Sequence, residues 1–430
     1  MLKSIIQPSS ELLKFLGNLS LNVSKPQKKH LWRTVEALIA SEGRKTLAGL
    51  YRQWVEAPDV SAVADFFRQS PWSEQQIRQS LSKWVIVDLI QRGQTQKIKP
   101  IIHVSIDDSL TTKDKDTSAL EGVDWYHDHH ASTKKKSIYQ NGAVHLSCRV
   151  QIGEYSYTFA WRMYLRAKTV RRLNRKRPQN KRLKFKSKYR LAREMLVELK
   201  PLIPQSWLVY VLFDSWYASA KLIKFVRRQG KSWHVLCALK SNRTLDGTQV
   251  AQLNQQLRHK HYTQVTVKVA DGTSNYYGRK VQGYLSHISF PVCGIISKRH
   301  PRDKHPKYYL CTDLNLSAHK ILNWYLKRWS IEVDYWYLKQ KFGNGDWRLH
   351  SWEAIQKWYT VVYLTFTFLQ WRLYQVRERD KSTKSVADLI RLHRGQQARE
   401  VLLAACTEAI ASGNVDQVMK RFLDPTQVAA

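Results

Sequence analysis

Apolar residues recur every three or four positions at Leu31, Val35, Leu38 and Ile39, and again at Val60, Val63, Phe66 and Phe67. That period puts them on one face of a helix, so the chain from residue 1 to 95 is expected to be helical. Ser73 with Gln76 three residues on has the spacing of a capping box opening a helix toward Val85. The pattern then changes. Pro100 to Ile106 reads as a strand that ends in Asp107-Asp108-Ser109. Val144, Leu146, Cys148 and Val150 alternate with polar residues, Gly153-Glu154 interrupts, and Tyr157, Phe159, Trp161 and Met163 resume the alternation. That is the signature of a hairpin. Leu208 to Phe213 is a continuous apolar run of buried-strand type and ends at Asp214. A helix from Ala218 to Gln229, with Gly230 after it, and a strand from Val235 to Leu239 follow. The stretch from about 240 to 315 is strand-like and turn-rich. One long helix is expected from Ala318 to about Phe342 and a second, apolar one from Ile355 to Val376. A helical piece closes the chain after the polar break Arg377 to Ser385. The expected organisation is a helical region 1–95, an α/β region 96–376 with a β-rich segment at about 240–315, and a helical C-terminal region 377–430.

Charge narrows the partner. Among 430 residues, 71 are Lys or Arg and 34 are Asp or Glu, a net charge of +37. A surplus of that size opposes compaction unless a polyanion shares the surface, and a phosphate backbone is the common one. A nucleic acid is therefore the expected partner, and an anionic membrane surface is the competing one. Fourteen of the basic residues fall between Arg166 and Arg193 with no acid among them. Such a run cannot pack against itself. Arg171, Arg172, Arg175, Lys176 and Arg177 are its candidate phosphate contacts. The longest apolar run, around Thr360 to Trp371, is too short to cross a bilayer, so no membrane partner is expected. The Met-Leu-Lys start lacks the pattern of a signal peptide, and five cysteines without a CxxC spacing argue against a disulfide framework or a zinc finger. A reducing, cytoplasmic location is expected, with Cys148 and Cys237 as inert core residues.

Candidate chemistry begins with the acids. A carboxylate at the end of an apolar strand is costly unless paired, and a divalent cation is one such partner. Asp107, Asp108 and Asp214 fit that description, although Asp is also favoured at turns and caps. On the long helix, Tyr325, Arg328, Glu332 and Lys339 fall at about 0°, 300°, 340° and 320°, one narrow face. An acid, two bases and a phenol on one face suit a site in which Glu332 holds a metal and its neighbours hold phosphates. Tyr126-His127-Asp128-His129-His130 offers metal ligands by type but lacks zinc spacing, and is read as a solvated loop.

The spacing Tyr-x2-Arg-x3-Glu-x6-Lys resembles the YREK signature of IS4-type DDE transposases. Ile106-Asp107-Asp108-Ser109 and Phe213-Asp214-Ser215-Trp216-Tyr217 resemble the first- and second-aspartate segments of that superfamily, in particular its IS701-like branch. Arg44 to Leu50 and Phe66-Phe67-x3-Pro71-Trp72 are similar to the opening of the same branch. The resemblance covers about residues 30–375. It implies an RNase H-like fold: a mixed sheet flanked by helices, with a β-rich insertion between the second Asp and the Glu. It implies two Mg²⁺ ions, with Mn²⁺ as a substitute, held by Asp108, Asp214 and Glu332. Asp107 is the alternate for Asp108, since the Asp-Ser pair selects Asp108 and the end of the apolar run selects Asp107. Tyr325, Arg328 and Lys339 would contact DNA. The implied activity is cut-and-paste transposition by a homodimer on transposon-end and target DNA, in a bacterial, nucleoid-associated protein. Trp324, Trp329 and Trp336 lie near the motif and are assigned to core packing. Two rival readings are an RNase H-like nuclease that cleaves without joining and a non-catalytic DNA-binding protein on the same scaffold.

Overall fold

The computed structural model describes residues 3–57, 59–128, 131–133, 135–269, 272–380 and 382–423. Five helices open the chain: α1 Ser10–Asn18, α2 Lys25–Ala40, α3 Leu47–Tyr51, α4 Val60–Arg68 and α5 Glu74–Thr95. The Ser73 hydroxyl accepts from the Gln76 amide and starts α5, which is the N-cap half of the expected capping box. Strands β1 Ile101–Thr112, β2 Asp124–His127, β3 Tyr139–Ile152 and β4 Tyr155–Tyr164 follow. Next come α6 Ala167–Asn174, α7 Lys188–Leu199, β5 Leu208–Phe213, α8 Ala220–Arg227 and β6 Trp233–Leu239. The region after β6 holds a small hairpin, β7 Thr244–Leu245 with β8 Thr248–Gln249, and α9 Val250–Gln256. It then forms β9 Thr263–Val269, β10 Gly272–Gly283, β11 Val292–Lys298 and β12 Lys307–Cys311. The chain ends in α10 Ala318–Leu326, α11 Ser330–Gln340, α12 Trp352–Arg379, α13 Val386–Ser412 and α14 Val415–Phe422.

One mixed sheet organises these elements. Its order is β2-β3-β1-β5-β6-β12-β11-β10-β9, and β4 also pairs with β3. β1, β5 and β6 run parallel, and β3 is antiparallel to β1. Three antiparallel strands leading into a parallel pair, flanked by helices, is the RNase H-like arrangement. The β-rich insertion lies between β6 and α10 in sequence. Its strands β9 to β12 do not form a sheet of their own, because β12 pairs antiparallel with β6 and prolongs the central one.

Parallel strands require both faces covered. Apolar residues of β1, β3 and β5, including Ile102, Val104, Leu146, Val150 and Val211, are fully buried. They share one core with the N-terminal helices and with α12, whose residues from Trp358 to Leu369 are buried all round. A helix apolar on every side belongs in an interior, and α12 runs through the molecule as its central rod. The N-terminal helices dock on it and are built into the same core. Cys148 and Cys237 are buried in strands, and burial pushes both thiols up and keeps them neutral.

Two elements depart from the sequence pattern. β1 does not end at the aspartates. It runs to Thr112, because β3 continues to pair with it through Thr112 while β5 stops pairing at Ser105. The expected long helix is also two helices, with a 3₁₀ turn at Lys327–Trp329 between α10 and α11. Periodicity of apolar residues does not distinguish a continuous helix from one tightened for a single turn.

Candidate active site

The end of β5 leaves the neighbouring edge of β1 unpaired from Ile106 onward, and the acids gather at that opening. Successive strand residues face opposite sides, so Asp107 and Asp108 diverge. Asp107 faces α11. Its Oδ2 accepts from Arg328 Nη1 at 2.5 Å, and the same nitrogen reaches Glu332 Oε1 at 3.3 Å. Tyr335 Oη donates to the Asp107 carbonyl at 2.7 Å, which pins α11 to β1. Asp108 turns the other way. Its Oδ1 accepts from Tyr217 Oη at 2.7 Å and its Oδ2 from Lys188 Nζ at 2.5 Å. Asp214, one residue beyond β5, accepts from the Trp216 and Tyr217 amides at 2.9 and 3.1 Å. This cap turns the chain toward α8 and fixes the carboxylate at the strand mouth.

The electrostatics follow from burial. Desolvation pushes the Asp107 carboxyl well above the usual carboxylate range; Arg328 opposes this, and the charges of Glu332, Asp214 and Asp108 add to it. Asp214 is raised for the same first reason, against its amide hydrogen bonds and Arg328. Four carboxylates therefore share a partly dry site with two cations, Arg328 and Lys188. That excess of hard oxygen donors fits a divalent cation. Among the described residues, no three Asp, Glu, His or Cys side chains are already gathered as a metal site. Asp107 and Asp108 are instead turned onto their own cations.

The other sequence candidates divide. Tyr325 packs its ring against Tyr309 at 4.7 Å and lies under the Arg328 guanidinium at 5.9 Å. Lys339 is half-buried two turns beyond Glu332; burial pushes its ammonium down and the Glu332 charge opposes that. Arg328 lies over Tyr325 and reaches Glu332 across the 3₁₀ turn, and its guanidinium points to carboxylates, not outward. Arg171, Arg172, Arg175 and Lys176 are exposed on and just after α6. Arg177 is committed elsewhere, paired with Glu121 at 2.5 Å and Glu353 at 2.6 Å. The assignment of all three tryptophans to the core needs correction. Trp324 packs on His103 and Tyr210, whereas Trp329 is 64% and Trp336 49% exposed. Their helix is amphipathic in charge, not in apolarity, so periodicity misplaces them. The expected solvated loop at 126–130 is strand at its start, because β2 pairs with β3: Tyr126 is buried there, and His127 contacts Ser132 and Tyr139. His129 and His130 lie outside the described residues.

Sequence reasoning passed over two contacts. Lys188, within the basic run, enters the site through the start of α7. Arg149 on β3 reaches Asp334 Oδ2 at 2.8 Å and Ser330 Oγ at 2.6 Å, and so locks the helix that carries Glu332. Lys188 had a signal in its proximity to a basic motif. The Arg149–Asp334 pair had none, because its partners are 185 residues apart.

The family model for DDE superfamily endonucleases matches residues 20–268, more than half of the chain. The chain belongs to the DDE superfamily of endonucleases. A second model, for the transposase DDE domain, matches residues 186–368 of this DDE-superfamily chain, which includes Asp214 and Glu332. No curated protein matches it. Among solved structures, a piggyBac transposase synaptic complex with hairpin DNA aligns with a TM-score of 0.46 and 13% identity, covering 95% of this DDE chain and 82% of that one.

Proposed function

We propose that this DDE-superfamily chain is an IS4-like transposase of the IS701-like branch that cleaves the ends of its own element and joins them to target DNA. The observation that carries the reading is Arg328, which draws Asp107 and Glu332 together across 225 residues of sequence, beside Asp214. Asp107, Asp214 and Glu332 would hold two Mg²⁺ ions, and Mn²⁺ would substitute. Asp107 is favoured over Asp108 because it faces α11, the helix that carries Glu332, and shares Arg328 with it. When bound, such a pair of cations supplies Lewis acidity to both the entering and the leaving oxygen of an in-line displacement at phosphorus. A water oxygen bonds to phosphorus and gives up a proton to solvent, while the P–O3′ bond breaks and the 3′ oxygen takes up a proton to become a 3′-OH. That hydroxyl then attacks a target phosphodiester, losing its proton to solvent, and displaces a 3′ oxygen that takes up a proton in turn. Arg328, freed from its carboxylates, and Lys339 would hold end phosphates, with Tyr325 supporting the guanidinium. The exposed residues Arg171, Arg172, Arg175 and Lys176 would carry the duplex on two copies of the chain.

A strand-transfer assay with labelled end DNA tests the reading. Joined product in Mg²⁺ is expected; nicks alone would favour a nuclease, and a shifted band alone would favour a silent binder. Arg328→Ala should lower end cleavage about 10- to 100-fold, the value of one charge-assisted hydrogen bond. Arg328→Lys should be milder, because it keeps the charge and loses the fork. Normal cleavage by both Arg328→Ala and Lys339→Ala would reduce the helix motif to a surface coincidence.

Neutralising Arg171, Arg172, Arg175 and Lys176 to Gln should weaken binding to end DNA and random DNA alike. The slope of log K against log salt should fall by about 0.9 for each phosphate that is no longer neutralised. A weakening confined to end DNA would show base reading and reject the phosphate assignment.

A further inference from the structure

The loop after α11 is buried, and it closes on the far end of β1. Gly343 turns into the left-handed region, φ +57°, and ends the helix; the Asn344 N–H then donates to the Leu338 carbonyl at 2.9 Å. Phe342, Asn344, Trp347 and Leu349 are buried. A chain drawn inside must find partners for its carbonyls. Lys113 serves two of them. Its Nζ donates to the Gly345 carbonyl and, at 2.5 Å, to the Trp347 carbonyl, and lies 3.9 Å from the centre of the Trp347 ring. Lysines commonly bury the stem and leave the ammonium in water. Here the head is turned inward, and burial pushes it down to about 8 against the charge of Asp346.

Lys113 stands five residues past Asp108, and its own N–H donates to the Asn141 carbonyl beside β3 at 2.8 Å. The strand that bears the aspartates and the loop that ends α11 therefore meet at one side chain. The fit is close. A Cβ at Gly345 would come within 2.4 Å of Thr111 Cγ2 on β1, and one at Gly343 within 2.4 Å of Lys45 Cγ. Lys45 is a second point of contact, since its N–H donates to Asp346 Oδ2 at 2.7 Å. It belongs to the segment Arg44 to Leu50, which has no part in the acidic site itself. α11 is thus tied by Arg149, by Tyr335 and, beyond its last turn, by this loop.

We propose that Lys113 is a positioning residue of the acidic site: through the 343–347 loop it sets where α11 carries Glu332 relative to the strand of Asp107. Its catalytic consequence rests on the transposase reading; the clamp does not. A displacement of about 1 Å in a reacting geometry costs on the order of 100-fold in rate.

Lys113→Met keeps the length of the side chain and removes its donors. Hydrogen exchange on the full chain without DNA should show faster exchange of the α11 amides in this variant, with those of β5 and α12 unchanged. End cleavage should fall about 10- to 100-fold while affinity for end DNA stays at the wild-type value. Lys113→Arg should restore slow exchange and most of the cleavage, because a guanidinium can donate to both carbonyls and lie on the Trp347 ring. Asp346→Ala, which frees the loop from Lys45 and leaves Lys113 in place, should loosen the same amides. Wild-type exchange of α11 in Lys113→Met would overturn the proposal. So would loosened α11 amides with normal cleavage, or a loss of protection throughout the chain that Lys113→Arg does not repair. A wild-type chain that cleaves nothing would reject the transposase reading, and the α11 exchange rates alone would then decide the clamp.

Discussion

Glu332→Gln is expected to abolish end cleavage, by roughly 10³-fold or more, which is at least about 4 kcal/mol of transition-state stabilisation. The change keeps the size and one oxygen of the side chain and removes the charge that a hard cation needs. Glu332 is 39% exposed and makes one long contact with Arg328, so its replacement should leave the fold and the DNA affinity intact. The same assay ranks the adjacent aspartates. Asp107→Asn should match Glu332→Gln, because Asp107 faces α11 and shares Arg328 with Glu332. Asp108→Asn should cost about 10- to 100-fold, through the Lys188 and Tyr217 contacts that it loosens. The reverse order would return the ligand role to Asp108, the residue that the Asp-Ser pair selects. Retained Mg²⁺-dependent cleavage by Glu332→Gln would remove the carboxylate site altogether.

The largest stability effect should come from Arg149→Ala. Both side chains of the Arg149–Asp334 pair are under 10% exposed, and removing one partner leaves the other charge buried alone. Such losses cost about 3–5 kcal/mol. Here they would also release α11 from β3, so cleavage should fall together with stability. Denaturant titration measures the first and the strand-transfer assay the second. A variant within about 1 kcal/mol of wild type, a margin typical of surface changes, would show that α11 is held by other contacts. The pair has a pH signature as well. Burial pushes the Asp334 carboxyl up to about 6 against the pull of Arg149. A carboxyl raised in the folded chain binds its proton more tightly there than in the unfolded chain. Its contribution is therefore present below about pH 4 and lost as pH rises through about 6. Wild-type stability relative to Asp334→Asn should decline across that window; a flat difference would mean that Asp334 stays ionised throughout.

Local order was readable where one period or one strong signal dominated. Gly153-Glu154 marked the β3–β4 turn, the apolar run 208–213 marked β5, and Ser73 marked the start of α5. The boundaries of β1 were not readable, because they depend on which neighbour stops pairing. β5 ends at Phe213 while β3 continues, and no residue of β1 records this. The 3₁₀ turn at Lys327–Trp329 was hidden for a related reason: it is set by what α10 and α11 pack on. At the site, spacing brought out Arg328, Glu332 and Lys339 as one face, and strand ends brought out the aspartates. It could not say that Arg328 turns inward, which follows from the unpaired edge of β1. Lys188 and Arg149 act across the fold, and their partners become neighbours only once the sheet has closed.

The order in which these parts leave the ribosome has a consequence of its own. The basic stretch ends at Arg193, and Glu332 is made 139 residues later. At typical synthesis rates of about 5–20 residues per second, the interval is roughly 7–28 s. Throughout it the nascent chain displays its surface for polyanions while α11, which must dock on β1 and β3, does not yet exist. A polypeptide cut short in that window would carry the basic stretch without Glu332 and without α12, so a strongly cationic chain would be released before the helix that completes its core had been made.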